Sequence, residues 1–202
     1  MRLICILFLS LAVNSVFADH IGLQGDPKGT AIKAGSVGDF ILEGPVLALD
    51  DKTEHAPAVV AGTDGLNYKL TYNTGFEIEA RISKAEKTVT FSFQRVPANG
   101  QYLRFSMFVP LSFNQRGKVG LDGSTFKVIP EKQSGQFVVD GREGEFDLMG
   151  PFGNGLSIRM PVSWECLQDN RVFNWPIFVW SYNYDMKAFP NQTSVIFSFS
   201  SL

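Results

Sequence analysis

The side chains best suited to bind a ligand are concentrated in one segment near the end of the chain. All three tryptophans, Trp164, Trp175 and Trp180, lie in this segment, together with Tyr182 and Tyr184. An aromatic ring can stack on the apolar face of a sugar, while nearby amides and carboxylates hydrogen-bond to its hydroxyl groups. The segment therefore predicts a surface that binds carbohydrate or a similar polar polymer.

The direction in which these rings point depends on the strand that carries them. Because side chains alternate between the two faces of a strand, a strand over Ile177–Tyr184 places its aromatic residues on one face. That face would hold Phe178, Trp180, Tyr182 and Tyr184. In one interpretation it belongs to the core, since strands favour large rings. In another, the alternate aliphatic positions point inward and the aromatic row faces solvent. A mixed arrangement buries Trp164 and exposes Trp175.

Polar residues beside the rings would complete such a site. Asp169, Asn170 and Arg171 offer a carboxylate, an amide and a fork-shaped donor, which suit a sugar acid or a pair of hydroxyls. The alternative interpretation is a turn in which these side chains bond to nearby backbone and to one another. The candidate ligand-binding residues are Trp175, Trp180, Tyr182, Tyr184, Asp169, Asn170 and Arg171.

A second polar stretch contains four acidic residues in eight positions. Asp140, Glu143, Glu145 and Asp147 could gather around a calcium ion, which prefers oxygen ligands. Their spacing does not match the helical calcium loop, and acidic residues beside a turn are usually just solvated. We therefore predict no metal site or cofactor, with calcium as the alternative.

No motif identifies a catalytic residue. The chain lacks a Gly-x-Ser-x-Gly elbow and a His-Glu-x-x-His helix, and His20 and His55 are its only histidines. Glu77 and Glu79 are the most regular pair of carboxylates, and glycosidases need two of them. Both more simply form a solvated strand face. A non-catalytic binding domain is the favoured interpretation, and a polysaccharide lyase or glycoside hydrolase on the same scaffold is the alternative.

The elements that must position these residues are strands. Apolar and polar residues alternate strictly over Phe76–Ser83 and again over Thr88–Arg95, which predicts an antiparallel hairpin. Asp-Gly pairs at 64, 122 and 140 are typical of hairpin turns. Further strands are predicted at Phe40–Leu49, Ala58–Ala61, Asn67–Asn73, Leu103–Val109, Thr125–Ile129, Gln136–Asp140, Glu145–Leu148, Leu156–Val162, Ile177–Asn183 and Ser194–Ser200. A short helical turn is predicted near Trp164–Asp169.

So many short strands in one chain need two packed sheets to bury their apolar faces. We therefore predict an all-β fold, an antiparallel β-sandwich of jelly-roll type, as a single domain over residues 19–202. Residues 19–36 are rich in glycine and weakly patterned, and we expect a loose N-terminal arm or an edge segment there.

The first eighteen residues predict export. Arg2 precedes an apolar run that ends in small residues before Ala18, which is the pattern of a signal peptide cleaved after Ala18. We expect a secreted or periplasmic protein with no transmembrane helix after cleavage. The net charge of −2 becomes one unit more negative without Arg2, which argues against nucleic acid as a partner. Cys166 is then the one remaining thiol, either buried or available for an intermolecular disulfide.

Residues 75–165 resemble the β-sandwich domains of secreted bacterial carbohydrate-active proteins. The features that carry the resemblance are the alternating strands at 76–83 and 88–95, then Arg104–Pro110 and Val119–Gly123. The resemblance implies a binding or accessory role and transfers no catalytic residue. A small outer-membrane β-barrel and a structural or adhesive subunit are further alternatives. The oligomeric state is not predicted.

Overall fold

The protein is built from strands in two antiparallel sheets. The computed structural model describes residues 21–62, 64–133 and 135–202. In chain order the strands are β1 (Ile21–Asp26), β2 (Gly29–Ala34), β3 (Asp39–Glu43), β4 (Val46–Leu49), β5 (Glu54–His55), β6 (Ala58–Ala61), β7 (Asn67–Thr71), β8 (Glu77–Ser83), β9 (Thr88–Ser92), β10 (Gly100–Val109), β11 (Lys118–Gly120), β12 (Lys127–Val128), β13 (Phe137–Gly141), β14 (Glu145–Met149), β15 (Gly155–Arg159), β16 (Trp164–Asp169), β17 (Phe178–Asp185) and β18 (Ser194–Ser201). Short 3-10 turns occur at Gly35–Val37, Leu111–Asn114 and Asn170–Phe173.

Each sheet has nine strands. Sheet A has the order β1-β2-β3-β10-β17-β16-β13, with β4 also paired to β10 and β5 paired to β4. Sheet B has the order β12-β11-β14-β15-β18-β9-β8-β7-β6. Four pairs are nested along the chain: β9 with β18, β10 with β17, β13 with β16 and β14 with β15. The chain thus forms a long two-stranded ribbon that passes through both sheets, as in a jelly roll.

Aromatic side chains fill the space between the sheets. Phe105 of sheet A lies 4.9 Å from Phe91 and 4.7 Å from Phe197 of sheet B, measured between ring centroids. Trp180 of sheet A lies 5.1 Å from Phe146 of sheet B. Each of these rings is fully buried, and burying one stabilises the fold by roughly 2–3 kcal/mol. The predicted β-sandwich is confirmed.

Alternating residues form their strands as predicted where one face meets the core. In β8, Ile78, Ala80 and Ile82 are buried while the residues between them are exposed. The predicted strand Phe40–Leu49 is instead two strands, because Gly44 and Pro45 interrupt the ladder and Pro45 has no N–H to donate.

Two local predictions are wrong. Residues Trp164–Asp169 form β16 rather than a helical turn, and the 3-10 turn follows directly after it. Asp140 and Gly141 end a strand of sheet A instead of turning a hairpin, since the chain then crosses to sheet B. Of the two alternatives for the N-terminal stretch, the loose arm is wrong and the edge segment is correct, because β1 pairs with β2 and is an edge strand of sheet A.

The predicted signal peptide, residues 1–18, lies outside the described residues and stays a prediction. Within the part of the chain that the structure describes, no helix is long and apolar enough to cross a membrane.

Candidate functional site

The aromatic row of β17 faces the core. Trp180, Tyr182 and Tyr184 are fully buried, because the register of β17 with β10 puts them beside the core residues Phe105 and Met107. The Tyr182 hydroxyl donates to the Pro161 carbonyl at 2.7 Å. The interpretation of this row as core is therefore correct. The assignment of Trp180, Tyr182 and Tyr184 as ligand-binding residues is wrong, since a ligand cannot reach them without opening the sandwich.

Asp169, Asn170 and Arg171 build a turn. The Asp169 carboxylate accepts from the Arg171 backbone N–H, from its Nε at 2.8 Å and from its Nη2 at 2.7 Å. The Arg171 guanidinium also donates to the carbonyls of Pro130 and Glu131 and lies over the Phe178 ring. Asp169 and Asn170 are buried. The Asp169 and Arg171 side chains are engaged within the protein, while the Asn170 Oδ1 atom is buried and accepts no hydrogen bond from the described residues. The assignment of this triplet as a ligand site is therefore corrected to a structural one.

This turn fixes the position of Trp175. Its backbone N–H donates to the Asn170 carbonyl at 3.1 Å, and Asn174 before it adopts a left-handed conformation with φ of 58°. The Trp175 ring is 48% exposed and packs edge-on against Phe108, with ring centroids 5.4 Å apart. Among the predicted ligand-binding residues, Trp175 is therefore the one with an accessible ring.

Trp175 lies at one end of a sheet surface that the sequence did not identify as a unit. The outer face of sheet A is formed by alternate residues of the adjacent strands β10, β17 and β16. Its members are Arg104, Ser106 and Phe108 of β10, Val179, Ser181 and Asn183 of β17, and Trp164, Cys166 and Gln168 of β16, with Phe137 of β13 at the edge. Most of these residues are half-buried, which leaves a nearly continuous, partly accessible sheet surface.

Two pairs of aromatic rings flank this face. Phe108 and Trp175 form one pair, while Trp164 packs edge-on against the exposed ring of Phe137 with centroids 6.1 Å apart. Two strand steps separate β10 from β16, and the register places Trp164 level with Arg104, four residues along the strand from Phe108, so Phe108 and Trp164 lie roughly 15 Å apart. Small and polar side chains occupy the space between them, including Ser106, Ser181 and Gln168.

Charged and amide groups border the same face. Arg104 makes a bidentate ion pair with Glu54, at 2.8 and 2.7 Å, and the Tyr102 hydroxyl donates to the same carboxylate at 3.4 Å. Asn183 pairs with Arg104 on one side and with Trp164 on the other. Its Oδ1 atom is buried and accepts no hydrogen bond from the described residues. A buried acceptor without a donor lowers stability, so this amide is an unusual feature of the face.

The inner side of β16 holds a buried acid. Glu165 is fully buried, and its carboxyl group accepts from the Gly144 N–H at 3.0 Å and from the Trp180 indole at 3.4 Å. Burial raises the pKa of Glu165 to about 8. Cys166, on the opposite side of the strand, is also buried, and burial raises the pKa of its thiol to about 12. The interpretation of Cys166 as a buried thiol is thus correct. A buried thiol with a raised pKa is a poor nucleophile.

The four acidic residues after position 139 do not gather. Asp140 lies in sheet A, whereas Glu145 and Asp147 lie on β14 of sheet B. Among the residues that the structure describes, no three Asp, Glu, His or Cys side chains are arranged to hold a metal ion. The arrangement that the calcium alternative requires, with all four carboxylates around one ion, is therefore not present among the described residues.

Glu77 and Glu79 line a different surface, a groove of about 770 Å³ at one end of the sandwich. The groove also includes Phe93, Arg95 and Asn99. The two carboxylates follow one another on the outer side of β8, and Glu77 forms an ion pair with Lys69 at 2.7 Å. Glycosidase carboxylates flank the scissile bond from two sides. Neighbours on one strand face do not have that arrangement.

Sequence reasoning missed Phe108 and Phe137, and it left Trp164 out of the candidate ligand-binding residues, with a buried Trp164 in one of its interpretations. A signal for Phe108 existed, because it follows the outward positions Arg104 and Ser106 in a strictly alternating strand. No local signal placed Phe137 beside Trp164, since 26 positions of sequence separate the two rings and only the pairing of β13 with β16 joins them.

Comparisons with known proteins add a fold relationship. The sequence matches no protein-family model and no curated protein. The structure is similar to part of an α-N-acetylgalactosaminidase, NagBb, from Bifidobacterium bifidum, which was solved in complex with GalNAc. The TM-score is 0.58 at 11% sequence identity, and the similar region covers 91% of this chain but 35% of that enzyme. The resemblance to β-sandwich domains of carbohydrate-active proteins thus holds for the fold.

Proposed function

We propose that the protein is a non-catalytic carbohydrate-binding domain that acts outside the cytoplasm, with the outer face of sheet A as its binding surface. The observation that carries the proposal is the pair of aromatic clusters, Phe108 with Trp175 and Phe137 with Trp164, on either side of a polar sheet surface. Rings spaced in this way can stack on separate sugar units of one chain, with serine, amide and guanidinium groups between them for the hydroxyls.

Two further features support this function. The fold relationship to a sugar-processing enzyme makes GalNAc a reasonable member of the first ligand panel. The predicted signal peptide is consistent with an extracellular or periplasmic site of action.

A binding experiment with matched variants tests the proposal. GalNAc and a panel of soluble polysaccharides are titrated into the protein and into Trp175→Ala, with isothermal calorimetry or affinity gel electrophoresis as the readout. We expect at least one saccharide to bind and Trp175→Ala to weaken it about tenfold or more, since a contact of about 1.4 kcal/mol corresponds to that factor.

Phe152 provides the control. It is 92% exposed and lies in the turn that joins β14 to β15 of sheet B, away from the outer face of sheet A. Phe152→Ala should bind as tightly as the unchanged protein. Equal affinity of all three proteins, or no binding to any saccharide, would refute the proposed surface. Release of new reducing ends or unsaturated sugars during the incubation would instead favour the glycoside hydrolase or lyase alternative.

A further inference from the structure

Asp147 is a buried carboxylate without a hydrogen-bond partner. It lies on β14 between the core residues Phe146 and Leu148, so its side chain points away from the core, to the outer side of sheet B. The residue is nevertheless 0% exposed, and neither carboxylate oxygen accepts a hydrogen bond from the described residues. An ionised carboxylate in this environment is strongly unfavourable unless a positive charge compensates it.

The residues around Asp147 present oxygen atoms. Its neighbours in the ladder are Gly120 and Ser157, which leave space beside the carboxylate because both are small. A methyl group added to Gly120 would lie 2.9 Å from the Thr125 carbonyl oxygen. This oxygen therefore lies over Gly120 on the outer side of sheet B, the side to which Asp147 points. The Ser157 hydroxyl donates to Glu145 at 3.2 Å and also lies close to the Asp147 carboxylate.

The segment between β11 and β12 covers the site and is held in a fixed shape. The Asp122 carboxylate accepts from the backbone N–H groups of Ser124 at 3.0 Å and Thr125 at 2.6 Å. These bonds orient the backbone so that the Thr125 carbonyl faces Gly120 and the sheet. A side chain at Gly123 would lie 3.0 Å from the Glu145 Oε2 atom, which places this oxygen beneath the same segment.

The charges nearby are mainly negative. The carboxylates of Glu145 and Asp122 add negative potential around Asp147. Arg159 opposes it, but its Nε atom is paired with Glu145 at 2.9 Å and its side chain is 71% exposed. The oxygen atoms around Asp147 therefore lack a buried positive charge.

We propose that Asp147, Glu145 and the Thr125 carbonyl bind a hard divalent cation beneath residues 121–126, and calcium fits this set best. Calcium takes six to eight oxygen ligands and accepts carboxylates, backbone carbonyls, hydroxyls and water together. Two carboxylates with a carbonyl and the Ser157 hydroxyl satisfy that preference without a third acidic residue. Zinc and copper favour nitrogen or sulfur ligands, which this group of residues does not offer.

Thermal unfolding of the full chain tests this site with calcium ions as the probe. Calcium at a hundredfold excess over its Kd should raise Tm by about 5–10 °C relative to the protein in EGTA. The shift should disappear in Asp147→Asn, which keeps the shape of the side chain but removes its charge. It should persist in Asp140→Asn, which changes an acid of the same sequence stretch in the other sheet.

Direct calorimetric titration with calcium accompanies the melting curves, and Glu145→Gln replaces Asp147→Asn if that variant does not fold. Equal Tm values in calcium and EGTA, with no heat of binding, would overturn the proposal. So would a shift that survives in both Asp147→Asn and Glu145→Gln, because the cation would then bind elsewhere. Saccharide binding does not enter either measurement.

Discussion

Glu165 illustrates how burial changes the chemistry of a single side chain in this sandwich. A glutamate side chain in water would be charged at neutral pH. Here it points inward beside the Trp180 indole, and its pKa of about 8 means that the carboxyl group is mostly protonated at pH 7. The unfolded chain has the ordinary value of 4.5, so folding is coupled to retention of a proton.

The free energy of unfolding should therefore depend on pH through Glu165. Below pH 4.5 both states hold the proton, and above pH 8 both release it. Between these values only the folded state keeps it, so stability falls as pH rises, by at most about 1.4 kcal/mol per pH unit. Glu165→Gln should remove this contribution, and urea unfolding of both proteins at pH 5.5 and pH 7.5 measures it. An identical difference between the two proteins at both pH values would show that Glu165 is not the responsible group.

Residue-level prediction from the sequence succeeded where the residue type decides the outcome. Cys166 was expected to be buried in one of two interpretations, and it is. The orientation of the tryptophans was harder to predict. The alternation of β17 shows that its aromatic rings share one face, but it does not show whether that face meets the core or the solvent. The partner strand β10 decides this, and its pairing with β17 is not readable from local sequence.

At the scale of elements, the turn after β16 connects the core to the proposed binding surface. Arg171 joins this turn to Asp169 and to the backbone at Pro130 and Glu131. Trp175 depends on the turn through its own hydrogen bond to Asn170. A loop that carries an exposed ring is thus held by a largely buried ion pair, with side-chain exposures of 16% and 1%.

Arg171→Ala should lower the free energy of unfolding by about 3 kcal/mol, because it leaves the buried Asp169 carboxylate without its partner. Lys69→Ala, which breaks the exposed pair with Glu77, should cost less than about 1 kcal/mol. Urea unfolding at neutral pH gives both values. Similar losses in the two variants would contradict a structural role for the Asp169–Arg171 pair.

Strand prediction was accurate where one face of the strand is buried and the other exposed. The strands β8 and β18 occur close to the expected positions for this reason. β16 was missed because Glu165, Cys166 and Leu167 are all buried, so the alternation that indicates a strand is absent. The pair Asp140-Gly141 suggested a hairpin, but a turn motif cannot indicate that the chain leaves one sheet for the other.

The proposed binding surface is a property of the whole molecule. Its aromatic residues come from β10, β13, β16 and the loop before β17, which the sequence separates by tens of residues. Sheet pairing brings them to one face, while the core aromatic residues on the reverse side of the same strands hold the sheets together. The sequence indicated the segment that contributes Trp164 and Trp175 to this surface. It could not indicate the surface, because the order of strands in sheet A depends on long-range pairing.

Nuclear magnetic resonance of the tryptophan indoles tests the central claim most directly. The protein has three tryptophans, so its ¹⁵N-labelled form gives three indole N–H signals, assigned with single tryptophan variants. On titration with the saccharide that binds best in the panel, the signals of Trp164 and Trp175 should shift. The signal of Trp180, which is buried and bonded to Glu165, should stay in place. Saturating saccharide that leaves Trp164 and Trp175 unchanged would contradict binding at the outer face of sheet A.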